Sequence, residues 1–323
     1  MRQLLALLSV PVLAFGQAKT EAVFTFDIDN VVAYYDDGTG YAKTGTSTAR
    51  TPLPSDYVNV FRPYIWLGDL VAVNDAPAKG TLFMPGMALA GGPAPAARRP
   101  IYDVYRNQVA HAQLDILDSA GGAVGVLCFG VLGADAPSPG SPRGAGGGAF
   151  TVVGGTGAFL GVIGQGGTVS NVNWRGASFL EDSGLRRVNG GGKWIIRFLL
   201  AGLKRPEIVA AYHAADFTPV SAASPARPGE TVILAMRGMG PTRPTLEPDA
   251  VFTHEPLHAV AAAVDATVNG KPAVCRNAVG WPGTADTYRL DVTLPGGLEA
   301  GKATLVVNRA YIPGIPFELA VRQ

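Results

Sequence analysis

Short apolar or alternating runs are cut off again and again by Gly, Pro, Asn and Asp, and no stretch sustains a helical period. With 42 Gly and 25 Pro in 323 residues, long helices have little room to form. A chain punctuated this way builds strands joined by turns, so the fold class is all-β. Hydrophobic residues make up 47% of the chain and charged ones 16%, enough to fill real cores and too apolar for disorder. The length suits two domains better than one.

Eight candidate strands lie at 22–32, 64–73, 80–89, 108–117, 124–132, 149–153, 159–163 and 193–200. Turn chemistry separates them, as in Asn74-Asp75-Ala76-Pro77 and Gly154-Gly155-Thr156-Gly157. A meander of this kind removes its exposed edges by closing, so an eight-stranded antiparallel barrel is expected over 19–212. Three connections read as long loops, at 36–57, 90–100 and 134–148. Near residues 212–228 a Ser/Ala/Pro-rich stretch marks a boundary. Alternating runs then return at 231–236, 264–268, 288–294 and 303–308, with Asn269-Gly270 as a hairpin signal. Residues 213–323 therefore read as a β-sandwich.

The N-terminus carries Arg2, an apolar stretch over 4–15, and small residues at Gly16 and Ala18. That layout is expected for a secretory signal peptide over 1–18, too short to span a membrane as a helix. The mature chain is then secreted, extracellular, surface-held or periplasmic, with no transmembrane segment. Net charge is +1, so no basic excess gathers phosphates and a nucleic-acid partner is not expected. The two cysteines, Cys128 and Cys275, fall in different domains and read as separate thiols that pack as small hydrophobes.

His254-Glu255-Pro256-Leu257-His258 fits the H-E-x-x-H zinc pattern. That chemistry needs a helix, and Pro256 between the histidines breaks one, so no metal is expected. Gly155-x-Gly157-x-x-x-Gly161 lacks the helix and βαβ setting of a dinucleotide loop and reads as a hairpin, so no cofactor is expected. No Gly-x-Ser-x-Gly elbow occurs. His111, Gln113 and Asp115 share one face of a strand, either lining a barrel interior or forming its wet side. Tyr64, Trp66 and Tyr102 belong to an aromatic-rich N-terminal half and combine apolar bodies with polar tips suited to a ligand.

The segments Gly68-Asp69-Leu70-Val71-Ala72-Val73-Asn74-Asp75-Ala76-Pro77 and Phe150-Thr151-Val152-Val153-Gly154-Gly155-Thr156-Gly157-Ala158-Phe159 resemble dirigent and allene-oxide-cyclase-like barrels. That resemblance implies an apolar ligand held in the lumen without metal or nucleotide, and points to Asp75 as its acid. The chain departs from the dirigent pattern at Ile163, where those proteins carry Arg, and at Asn74, where they carry a second acid. The stretches Arg227-Pro228-Gly229-Glu230-Thr231-Val232, Val268-Asn269-Gly270-Lys271-Pro272-Ala273-Val274 and Tyr288-Arg289-Leu290-Asp291-Val292-Thr293-Leu294-Pro295 resemble an uncharacterised Ig-like C-terminal domain of secreted acidobacterial proteins. That family implies no catalysis. The expected function is binding of a small apolar molecule in the barrel, beside an Ig-like surface or assembly module, with the oligomeric state open. A cofactor-free cyclase or isomerase using Asp75, and a purely structural or adhesive surface protein, are the alternatives.

Overall fold

The structure is a computed structural model and describes residues 21–35, 59–91, 106–135, 147–169, 174–179, 181–247 and 250–322. The expected signal segment, Tyr102 and almost all of the three long loops lie outside these residues. Nearly every described element is a strand, as the punctuation of the sequence requires.

The first sheet contains β1 (Ala22–Tyr35), β2 (Asn59–Val73), the short β3 (Ala76–Pro77), β4 (Lys79–Gly91), β5 (Arg106–Leu117), β6 (Ala123–Asp135), β7 (Gly147–Gly157), β8 (Ile163–Thr168), β9 (Arg175–Ser178), and, after the short helix α1 (Leu185–Val188), β10 (Gly192–Ala201). Pairing runs β2-β4-β5-β6-β7-β8-β10-β1, and β1 pairs again with β2, closing an eight-stranded antiparallel barrel. The inward faces read straight off the alternation: Phe24, Phe26 and Ile28 in β1, Leu114 and Ile116 in β5, and Ile196, Phe198 and Leu200 in β10 are all buried.

Large residues in this barrel sit opposite glycines. A Cβ on Gly166 would fall 2.4 Å from the Phe198 ring, and one on Gly86 would fall 2.6 Å from the Tyr64 ring. The glycine-rich β8, Ile163-Gly164-Gln165-Gly166-Gly167-Thr168, is the strand of the closed barrel that the sequence reading misses. Its glycines weaken the strand signal because they make room for β10's Leu200 and Phe198. The strand expected at 159–163 is instead a buried turn: Phe159 N–H donates to the Thr156 carbonyl, and Val162 N–H to the Phe159 carbonyl. Ala158, Phe159 and Val162 are buried there and stop the barrel's end, so their apolarity reports a plug and not a strand.

Residues after β8 fold back over the outside of the barrel. β9 runs parallel to β1, and Ala177 joins Val32 and Tyr34 in a small outer core. A positive-φ residue at Asn30 coincides with a bulge in β1, after which both Val31 and Val32 are buried, one on each face. Arg186 and Arg187 of α1 pin this flap by pairing with Asp69 on β2, and Asn30 donates to the same carboxylate at 2.9 Å.

The second sheet holds β11 (Glu207–His213), β12 (Thr231–Arg237), β13 (Thr242–Arg243), β14 (Ala259–Val260), β15 (Val264–Val268), β16 (Lys271–Gly280), β17 (Tyr288–Thr293), β18 (Gly301–Arg309) and β19 (Phe317–Val321). The order is β11-β12-β17-β16-β15-β18-β19, with β13 and β14 attached beside β16. β16 pairs with β15 at its start and β17 further on, so it turns the corner between two layers. A bridge between Ala226 and Val321 brings the far ends together, so the sheet is nearly closed around Leu234, Met236, Leu290, Val292, Leu305 and Leu319. Asn269 and Gly270, both at positive φ, form the hairpin expected between β15 and β16. β11 already belongs to this sheet, so the chain crosses from one unit to the other between Ala201 and Glu207, upstream of the 212–228 stretch.

Strand pairing puts the described strand ends that flank the three long connections on one rim of the barrel. Asn59 faces Gly91, Ala90 faces Arg106, Arg106 faces Asp135 and Ala134 faces Gly147, so all the strand ends they join lie together. The short turns lie on the opposite rim, against the second unit. There the Asp118 carboxylate accepts from Gly122 N–H at 2.7 Å within its own turn and from Ala263 N–H of the second unit, also at 2.7 Å. Tyr311 donates its hydroxyl to the Pro77 carbonyl at 2.7 Å, and Ala262 and Ile312 join the barrel's core.

Candidate ligand site

Two places deserve comparison as binding sites, the barrel interior and the junction. In the interior, Phe129 and Phe198 approach at 4.9 Å between ring centroids, Phe26 and Phe198 at 6.0 Å, and Phe24 and Phe159 at 6.1 Å. Towards the long-loop rim Trp66 meets Trp194 at 5.3 Å and Trp174 at 5.7 Å. A barrel of eight strands is just wide enough for side chains to fill, and these rings use that width. Ala110 and Ala112 do face inward, as small residues that leave room, but the ring of Tyr64 lies over Gly86 next to Ala110. Gly125 is covered by Phe159, and Gly130, opposite the exposed His111, lies on the outer face and leaves no room inside.

The residues singled out from the sequence separate accordingly. Tyr64 and Trp66 are buried together inside the barrel with their rings 6.3 Å apart. The Trp66 indole N–H is buried and has no hydrogen-bond partner among the described residues. His111, Gln113 and Asp115 are exposed on the outer face of β5, so a lumen-lining role for them is corrected. The physical reason is the parity of β5, whose inward positions go to Ala110, Ala112, Leu114 and Ile116. Asp75 is exposed in the two-residue turn after β2 with φ 65°, outside the lumen, where it cannot act as an acid on a molecule held inside.

The H-E-x-x-H segment has no helix. His254 and Glu255 are exposed, while His258 is buried with Nδ1 2.8 Å from the Pro244 carbonyl and Nε2 3.0 Å from the Thr253 hydroxyl. Among the described residues no group of three or more His, Cys, Asp or Glu side chains is placed to hold a metal. Cys128 and Cys275 are free and half-buried, and burial pushes the Cys275 thiol up to about 11. No described helix is long and apolar enough to cross a membrane.

At the junction a cleft of about 660 Å³ opens between the units. The barrel supplies Ile116, Val126, Thr156 and Leu160, together with Asp115. The second unit supplies Pro241, Leu246, Phe252, Tyr288 and Arg309. The units are tied together through Pro77, Asp118 and Gly121. The 156–160 turn comes so near the loop after Gly238 that a Cβ on Gly157 would fall 3.2 Å from Pro241 Cγ, and the cleft lies between these contacts. The Tyr288 hydroxyl donates to the Gly240 carbonyl at 2.7 Å, and burial pushes its phenol up to about 12.

Arg309 is the residue that reasoning from the sequence missed. It is 1% exposed, and burial lowers its guanidinium to about 10, so it remains charged at neutral pH. The signal was present in the strand itself. Ala303, Leu305, Val307 and Arg309 occupy successive inward positions of β18, and an arginine in that series is out of place in an apolar core.

No family model and no curated protein matches the chain. A solved polysaccharide lyase is 10% identical, aligned over 93% of this chain and 39% of its own, with a TM-score of 0.19. This chain thus spans well under half the length of that protein, and a likeness at that score carries no argument.

Proposed function

We propose that this is a non-catalytic binding protein that holds a small, mostly apolar molecule at the junction of its two units. The observation that carries this reading is the apolar-walled cleft of about 660 Å³ at the junction, a volume in the usual range for small-molecule sites. The expected lumen site gives way to it because the lumen's width is taken up by the chain's own rings. Barrel and sheet then act as rigid supports for a site that neither forms alone. The second sheet serves as the Ig-like assembly module that its sequence resembles, and the 1–18 segment supports export. N-terminal sequencing of the exported protein is expected to start at Lys19.

A neutral apolar dye such as Nile red tests the site on the full chain. Saturable binding should be lost in Val126→Trp and Leu246→Trp, which fill the cleft from its two walls, and kept in Trp66→Phe. A second reading, binding inside the barrel against the unsatisfied Trp66 indole, rests on that orphan donor. It predicts the reverse pattern, loss in Trp66→Phe and retention in both cleft variants.

A further inference from the structure

If the junction is the binding site, Arg309 names the chemistry of its occupant. Arg309 is buried to 1%, and none of its Nε, Nη1 and Nη2 atoms has a hydrogen-bond partner among the described residues. A buried guanidinium without a counter-ion is strongly unfavourable, because it has lost its water and gained nothing in return. Folded proteins tolerate such a group where something outside the chain completes it.

The surroundings are built to hold the group in place. Gly240 lies flush against it: a Cβ there would fall 1.5 Å from Nη1, and φ at Gly240 is +78°, so other residues would both strain the backbone and displace the guanidinium. Tyr288 fixes the Gly240 carbonyl from the other side through its hydroxyl. Lys204, Asp115, Glu247 and Asp286 also line the cleft, and none of the three acids bonds to the arginine. The facing wall, from the barrel, is apolar at Ile116, Val126 and Leu160.

We propose that Arg309 anchors an anion at the junction, and that the occupant is an amphipathic carboxylic acid lying with its carboxylate on the guanidinium and its apolar body along the barrel wall. The planar fork of an arginine matches a carboxylate through two parallel N–H···O bonds. One buried cation balances one negative charge, which fits a monocarboxylate better than a doubly charged phosphate. The apolar wall fits a hydrocarbon body better than a free inorganic ion.

Isothermal titration of the full chain with octanoate, octanamide and inorganic phosphate tests this. Octanoate is expected to bind one to one, and about tenfold or more tighter than octanamide, the margin that a charge-assisted pair provides. Phosphate should bind more weakly than octanoate. Arg309→Met should lose that same margin for octanoate. If that variant does not fold, the octanoate–octanamide comparison on the unaltered chain decides alone. Equal binding of the two probes, abolished for both by Val126→Trp, would overturn the anion assignment and leave the junction site standing. Phosphate binding tighter than octanoate would overturn the carboxylate assignment. Absence of octanoate binding overturns the proposal outright. A fall in melting temperature in a Glu247→Gln, Asp286→Asn double variant would then assign the counter-ion to the chain itself.

Discussion

The barrel and the junction handle their difficult residues in opposite ways. Inside the barrel bulky rings are seated on glycines, as Phe198 over Gly166 and Tyr64 over Gly86, and the orphan donor there, the Trp66 indole N–H, carries no charge. On its outer face the charged Asp69 is met by Arg186, Arg187 and Asn30. At the junction a fully buried arginine is left with no partner among the described residues. Local rules that agree with one another mark regions built for stability, and a rule broken in an otherwise consistent molecule marks a place built for something else. The barrel is therefore the scaffold here, and the junction the candidate for function.

Removing a seated ring should have the largest effect. Phe198→Ala is expected to destabilise the chain by about 4 kcal/mol, read as a lower denaturant midpoint, because the cavity it leaves is walled by Phe26, Phe129 and Phe150 and cannot collapse. A loss below about 1 kcal/mol would show an interior already loose, and would return the ligand site to the lumen. Arg309→Met should have the opposite sign. It replaces an unpaired buried charge by an apolar chain of similar length, so the unliganded protein should gain about 1–3 kcal/mol. A clear loss would show that the charge has a partner in the folded chain.

Asp69 sharpens the comparison through pH. Its bonds to Arg187, Arg186 and Asn30 outweigh burial and hold its carboxyl down at about 2, below the ordinary 3.8. The folded value is depressed, so the contribution is present above pH 4 and disappears as pH falls from there towards 2. Asp69→Asn should cost about 2 kcal/mol at pH 7, since it leaves the buried Arg186 without its counter-charge, and much less at pH 2, where the carboxyl is already half protonated. An equal cost at both pH values would mean that the flap over β1 and β2 is held by packing alone. The smallest effect belongs to the zinc-like motif. His254→Ala should change stability by less than about 0.5 kcal/mol, as for other exposed sites. His258→Ala should cost about 1–2 kcal/mol through its lost bonds to Pro244 and Thr253. Stoichiometric zinc in the purified chain would contradict both.

Much of the fold was legible because alternation and turn chemistry are local. Residues 264–268 are β15, Asn269-Gly270 is the hairpin after it, and β1, β2, β4, β5, β6 and β10 each contain a run visible in the sequence. The failures are places where tertiary packing overrides local pattern. β8 hides behind glycines that Phe198 and Leu200 require, and Phe159 posed as a strand residue while plugging the barrel's end. β16 mixes exposed and half-buried residues because it crosses between layers, so it shows no clean period. For the site, alternation placed His111, Gln113 and Asp115 on one face but could not say which face was inside. Arg309 was readable by parity alone, yet its meaning depends on Gly240 and Tyr288, which are distant in sequence.

The central claim is that the ligand site lies at the junction and is anchored by Arg309. The most direct measurement is a crystal structure of the full chain soaked with 8-bromooctanoate, with the bromine located by its anomalous scattering. The account predicts a single bromine peak in the cleft near Val126 and Leu160, with the carboxylate on the Arg309 guanidinium. A peak inside the barrel beside Trp66, with Arg309 paired to an acid of its own chain, would contradict it.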